Sequence, residues 1–146
     1  MQIRFEEKED LKYVANLSKN FAEEGCCNGI VADDEKYFED KKVAIAIDQD
    51  IVIGYAYGEI EKVKKDKSYI KKGQKVFYLE EMYVIPTERD RKVGKQLFEF
   101  LEREMNQKGV IAIELNAVSK DYSRLLNFYL KELNMSFLSA FLYKKI

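Results

Sequence analysis

Apolar residues along this chain recur with two different periods, and the changes of period mark its elements. Ile3 to Phe5 is a short apolar start that predicts an edge strand. From about Glu9 to Glu24, Leu11, Val14, Ala15, Ser18, Phe21 and Ala22 fall on one helical stripe, and Gly25 suits its stop. Asp33 or Asp34 is placed to cap a short second helix through Tyr37 and Phe38. The run VAIAI (43–47), the turn Asp48-Gln49-Asp50 and IVIGYAYGEIEKV (51–63) predict a β-hairpin. Residues 64–75 are heavy in lysine and contain Gly73, which predicts a solvated loop between strands.

The stretch Val76 to Met105 reads as strand, tight loop, then helix. Its first ten residues are rich in Val, Ile, Tyr and Phe and stop at the only proline, Pro86. After a polar turn, Val93, Leu97, Phe98, Leu101 and Met105 fall at helical spacing. VIAIEL (110–115) is a continuous apolar run, as expected of a buried strand. Tyr122, Leu125, Leu126, Tyr129, Leu130 and Leu133 then mark another helix, with Ser119 or Asp121 as its cap. The final segment, MSFLSAFLYKKI, predicts one or two closing strands. The order β-α-α-β-β-β-α-β-α-β(-β) implies an α/β chain with a mixed sheet and helices on both faces. Residues 1–146 read as a single domain, with no internal repeat or linker.

Composition narrows the function classes. Lys plus Arg (25) nearly cancels Asp plus Glu (26), so net charge gives no case for nucleic acid or membrane binding. No apolar run approaches the ~20 residues that span a bilayer and the start has no signal-peptide pattern, so a cytoplasmic setting is expected. Cys26 and Cys27 are adjacent, which suits neither a disulfide framework nor a metal site. With no histidine in the chain, acid–base chemistry must use carboxylates, Tyr, Lys or water.

Two features then carry chemistry. Arg89, Arg91 and Lys92 crowd beside Gly94 where a strand feeds a helix; free N–H groups, helix dipole and basic side chains there favour an anion such as a phosphate. The same residues also suit an ordinary charged βα loop. Glu80 and Glu81 lie in a strand that is apolar on both flanks, where a carboxylate is costly without a partner or a function. On a regular strand only one of the two faces a given side.

With these residues in place, the chain resembles the GNAT superfamily of acetyl-CoA-dependent N-acetyltransferases, over nearly its whole length. Arg89-Asp90-Arg91-Lys92-Val93-Gly94 is similar to the family's cofactor loop, although Lys92 stands where the first glycine is expected. NFYLKELNM is similar to the family's helical segment with a Phe/Leu-Tyr pair, and Tyr129 falls on the tyrosine; Asn134-Met135 replaces Gly-Phe. YLEEMYV resembles the Leu-Glu-acid triplet of polyamine-type members.

The resemblance implies a mostly antiparallel sheet of six to seven strands, splayed between the central strand (76–85) and the next (110–116). It implies acetyl transfer to a primary amine, with a polyamine or other small cationic amine favoured, and a protein N-terminus or lysine as the alternative acceptor. Glu80 is then the general base and Tyr129 the proton donor to the leaving thiolate; Glu81 and Glu59 attract the cationic acceptor. Acetyl-CoA falls to Met82, Tyr83 and Val84, to Arg89, Asp90, Arg91, Lys92, Val93, Gly94 and Lys95, and to Asn116 and Tyr122. Homodimers are frequent among proteins of this kind. A catalytically silent acyl-CoA-binding module on the same scaffold is the rival reading.

Overall fold

The computed structural model describes residues 1–146. A first strand, β1 (Gln2–Phe5), leads through a short 3-10 turn into helix α1 (Leu11–Glu24), which ends on left-handed Gly25. A one-turn helix α2 (Glu35–Phe38) is capped by Asp34, whose side chain accepts from the Tyr37 N–H at 3.0 Å. The hairpin joins β2 (Lys42–Asp48) to β3 (Ile51–Lys62). Its two turn residues, Gln49 and Asp50, have φ of 47° and 62°. That backbone twist matches the twist of the flanking strands. Next come β4 (Lys75–Val84), helix α3 (Val93–Gln107), β5 (Val110–Glu114) and α4 (Tyr122–Asn127), which continues as a π-helical turn over Phe128–Glu132. Asp121 supplies the α4 cap.

The five strands lie in chain order, β1-β2-β3-β4-β5. The first three pairings are antiparallel, and β4 pairs with β5 in parallel because α3 carries the chain back across the sheet. β2 is buried on both sides: Val43 and Ile45 face α1 and α2, while Ala44 and Ala46 face α3. Helix α3 buries Val93, Leu97, Phe98, Leu101 and Met105 against one face, and α1 buries Val14, Leu17 and Phe21 against the other. At roughly 1.5–3 kcal/mol for each fully buried large side chain, these two stripes hold both helices to the sheet.

Two irregularities in β4 shape everything downstream. Tyr57 pairs with Glu81 and the next residue, Gly58, pairs with Leu79, so Glu80 is the extra residue of a β-bulge. The bulge reverses the alternation of side chains. Leu79 packs in the α3 cluster, yet Glu81 and Tyr83 lie on the α1 side. Gly58 makes the bulge possible: a Cβ there would come within 2.0 Å of the Tyr78 carbonyl oxygen. The second irregularity is the expected splay. Pairing with β5 ends at Tyr78–Glu114, so Leu79–Val84 has β3 on one side and no strand on the other.

The expected strand count needs correction. The sheet has five strands rather than six or seven, because MSFLSAFLYKKI forms none. Residues 136–146 have neither helix nor strand, and no backbone hydrogen bond joins them to the rest of the chain. A strand needs a neighbour to complete its ladder, and this chain sets none beside them. The lysine-rich loop is a largely exposed connection between β3 and β4, as expected, with one buried anchor. Ile70 is buried with Val63 and Val76, and Lys67 pairs with Glu114 at 2.8 Å.

Candidate active site

The splay opens a narrow cleft of about 70 Å³, lined by Leu79 to Met82 on β4, Phe21 on α1, Cys27, Leu115 and Asn116, Ser119, and Tyr129. Glu80 and Glu81 therefore both reach it, which alternation on a regular strand forbids. Here the bulge overturns the expectation that only one could do so.

The two carboxylates have different surroundings. Glu81 is 8% exposed, and the Tyr55 hydroxyl donates to it. Burial pushes its carboxyl up to about 7, against the opposing hydrogen bond from Tyr55, and the nearby charges of Asp33 and Glu80 add to the rise. Glu80 sits at the mouth, where it accepts from the Tyr37 hydroxyl at 3.2 Å. The Lys41 ammonium lies beside it. Its Nζ is 3.7 Å from Glu80 and 2.8 Å from Glu59, and it stands 4.7 Å from the centre of the Tyr37 ring and 5.7 Å from that of Tyr57. A primary ammonium between carboxylates and ring faces gains from both charge and quadrupole.

Across the cleft, Tyr129 is 9% exposed and lies on the π-helical turn. Its hydroxyl makes no hydrogen bond within the chain, yet no fully enclosed polar side-chain atom lacks a partner, so this hydroxyl opens onto the cleft. Burial pushes it up to about 12, with a smaller contribution from Cys27. The neighbouring Cys26 thiol is also raised to about 12, by burial and by Glu24, so it stays protonated and unreactive. Asn116 lines the cleft and donates to the Tyr78 hydroxyl at 2.9 Å. Tyr122 opens α4 and is exposed, outside the cleft lining.

The basic loop is built differently from its sequence reading. Arg89 donates from both terminal directions of its guanidinium: Nε to the Val84 carbonyl at 3.0 Å, and NH2 to both oxygens of Glu24 at 2.8 Å. Tyr83 stacks on Phe21 and donates to the same Glu24 at 3.0 Å. Arg89 and Tyr83 thus tie the loop and β4 to the end of α1. Arg91 pairs with Glu88 and Asp48, Asp90 with Arg124, and Lys95 with Glu99. Lys92 has no ion-pair partner. It adopts φ 62°, the left-handed conformation that a glycine would take at this place. Val93 is buried and starts α3, and Gly94 lies under Phe128 and Val84. What remains open to an anion is the N-terminal backbone of α3 and the Lys92 ammonium.

Sequence reasoning missed Glu24, Lys41, Tyr37, Tyr55 and Tyr57. The tyrosines did carry a signal, since a phenol in a buried strand needs a partner for its hydroxyl. The Glu24–Arg89 pair joins positions 65 residues apart and leaves no local pattern.

A search of curated proteins gives no significant match. Among solved structures, the tetramutant of the BH1408 protein from Bacillus halodurans is similar over the whole of both chains, with a TM-score of 0.78 at 19% identity. The aminoglycoside N-acetyltransferase AAC(6')-Iy in complex with CoA is similar over 99% of each chain, with a TM-score of 0.70 at 21% identity. An acetyltransferase from Trypanosoma brucei covers 99% of each chain, with a TM-score of 0.72 at 20% identity. At these identities the likeness is one of fold. The family model for the GNAT acetyltransferases matches residues 7–135, and this strand-splayed chain belongs to that family, an acetyltransferase that draws its acetyl group from acetyl-CoA.

Proposed function

We propose that this enzyme acetylates a small primary amine that arrives as a cation. The observation that carries the reading is the Lys41 ammonium held at the cleft mouth by Glu59, Glu80 and the Tyr37 and Tyr57 rings. Those groups already stabilise a primary ammonium, so an acceptor amine or polyamine finds the same partners there. Aminoglycosides are named among the similar structures and are amines to include in any test.

The chain's residues divide the work by position. Acetyl-CoA, when bound, supplies the acetyl group as a thioester. The α3 N-terminal backbone and Lys92 are placed to hold its phosphates. Alternate backbone groups of Leu79–Val84, left without a strand on the splayed side, are placed to orient the pantetheine arm and to donate to the developing oxyanion. Glu80 and Glu59 bind the incoming ammonium. The register with polyamine-type members puts the base at Glu80, but the geometry favours Glu81. Raised to about 7, its carboxylate can accept the ammonium proton near neutral pH, directly or through one water. The amine then forms its C–N bond as the C–S bond breaks, and the second N–H proton, lost as the amide forms, reaches the leaving thiolate through water. Tyr129, on the opposite wall of the cleft, is the group that would meet the leaving sulfur. Because its hydroxyl is raised to about 12, full transfer to a thiol of about 8.5 is uphill by roughly 5 kcal/mol, and a hydrogen bond to the thiolate is the role its surroundings favour.

Free-thiol release measured across polyamines, aminoglycosides, amino acids and an N-terminal peptide tests the acceptor class. Turnover should concentrate on the small polycationic amines; release only with the peptide would overturn it. In the same assay Glu81→Gln should abolish the acidic limb of the kcat/KM profile near pH 7. If Glu80→Gln does this instead, the base is Glu80.

A further inference from the structure

Lys41 is enclosed where a lysine is ordinarily solvated. Its side chain is 13% exposed, whereas Lys19, Lys67, Lys71 and Lys95, which also form ion pairs, range from 36% to 77%. The backbone fixes it at the turn from α2 into β2. Its N–H donates to the Phe38 carbonyl at 3.0 Å, and it stands between two fully buried residues, Phe38 and Val43. The side chain then runs to the Tyr37 and Tyr57 rings, and the ammonium ends between Glu59 and Glu80.

Neutralising Glu59 gives no reason for this enclosure. The Glu59 side chain is 57% exposed, and water already screens a carboxylate in that position. What the enclosure does is set a primary amine against Glu80, which lines the cleft. Glu80 is oriented for the purpose: the Tyr37 hydroxyl donates to its Oε2 at 3.2 Å, and Oε1 is left toward the Lys41 Nζ. The chain thus carries, on its own turn, the same chemical group that the reaction consumes.

We infer that Lys41 is an internal acceptor: with acetyl-CoA bound and no free amine in the cleft, the enzyme acetylates the Lys41 Nζ of its own chain. The inference rests on the reading that the reacting ammonium binds at Glu80 and Glu59. The step needs no reagent beyond acetyl-CoA. The ammonium gives one proton to the base that serves a free amine, and the Nζ lone pair attacks the thioester carbon. The N–C bond forms as the C–S bond breaks, and the proton lost on amide formation passes through water to the thiolate. The products are acetyl-lysine, the CoA thiol and one proton. Tethering favours the transfer, since an amine on a short linker competes at an effective concentration on the order of millimolar. The hydrogen bond to Glu59 opposes it, holding the ammonium above the ordinary lysine range, so Lys41 yields to a good free acceptor. Once acetylated, Lys41 is neutral, and Glu59 and Glu80 meet the next amine without a resident cation.

The full chain incubated with acetyl-CoA and no amine should gain the mass of one acetyl group in intact-mass spectrometry. Peptide mapping should place it on Lys41, at a rate at least about tenfold above that of any other lysine. At saturating acetyl-CoA the rate constant should hold as the enzyme is diluted, because donor and acceptor sit in one chain. Excess CoA, which fills the cofactor site without an acetyl group, should suppress labelling of Lys41 and leave spontaneous labelling of other lysines unchanged. Lys41 labelled no faster than other lysines, labelled equally with excess CoA present, or labelled at a rate that falls on dilution overturns the inference. Adding putrescine separates it from the acceptor reading. Putrescine turned over while Lys41 stays unmodified in both incubations sinks the inference and leaves the reading standing. Lys41 acetylated while putrescine is neither turned over nor slows the labelling supports the internal acceptor and removes the small-amine reading.

Discussion

Tyr129 and Glu81 are buried titratable groups on opposite walls of one cleft, and burial favours the neutral form of each. The consequences differ because their ordinary values differ. A carboxyl moved up to about 7 becomes a base poised at neutral pH. A phenol moved up to about 12 becomes a donor that keeps its proton. Tyr129→Phe removes that donor and little else, since the ring stays packed and the hydroxyl has no partner within the chain. It should lower kcat by roughly 10- to 100-fold, the scale of a single hydrogen bond to developing charge, while the Kd for acetyl-CoA changes less than about twofold. Stopped-flow turnover and isothermal titration check the two halves. Unchanged kcat would remove Tyr129 from the chemistry. At this scale the resemblance singled out Glu80, Glu81 and Tyr129, and the structure brings all three to one cleft. The sequence was uninformative about Arg89 and Arg91, whose charges are neutralised by Glu24, Glu88 and Asp48 from distant or neighbouring turns.

Among the elements, β4 decides the site. Its period-2 pattern predicts a strand with alternating faces, and the strand forms at Lys75–Val84. The bulge at Glu80 then turns both glutamates toward the cleft. Gly58 is the partner residue that permits it, and its side-chain hydrogen is all the space allows, with the Phe77 ring 2.8 Å from an added Cβ as well as the Tyr78 carbonyl at 2.0 Å. Gly58→Ala should therefore destabilise by about 2–4 kcal/mol, well beyond an ordinary surface substitution. Urea unfolding measures the loss. A change under about 1 kcal/mol would mean that the two strands separate easily and that the bulge is not fixed by this glycine. Helix boundaries were more legible: Gly25 and Asp34 terminate and cap as their chemistry predicts. The closing strands were not, because pattern announces a strand's appetite for a neighbour without saying where the neighbour is.

For the whole molecule, the buried Glu81 links stability to pH. Its folded value of about 7 lies above its ordinary 4.5, so the folded state binds the proton more tightly than the unfolded one. The stabilising contribution is complete below pH 4.5 and is lost as pH rises toward and through 7. Over that window the loss amounts to roughly 3 kcal/mol from this group. Glu81→Gln keeps an acceptor for Tyr55 but cannot titrate. Thermal unfolding followed from pH 4.5 to 8 should show a downward slope in the wild-type protein that is flatter in the variant. Equal slopes would show that Glu81 titrates alike in the folded and unfolded chain. A fold that keeps a carboxylate at this cost in its centre has a use for it, consistent with the base proposed above.

By itself the sequence determined the local elements, the two helical stripes, the hairpin turn and the family. These depend on spacing within a few residues, on turn chemistry and on short motifs, all of which survive being read as a string. Only the tertiary structure decided that Glu80 and Glu81 share one cleft, that Arg89 belongs to Glu24, and that Lys41 lies among the tyrosines at the mouth. Each of these is a contact between residues remote in sequence, set by strand register and helix packing. The last apolar run shows the difference: its pattern predicts a strand, but the fold pairs it with no neighbour and none forms.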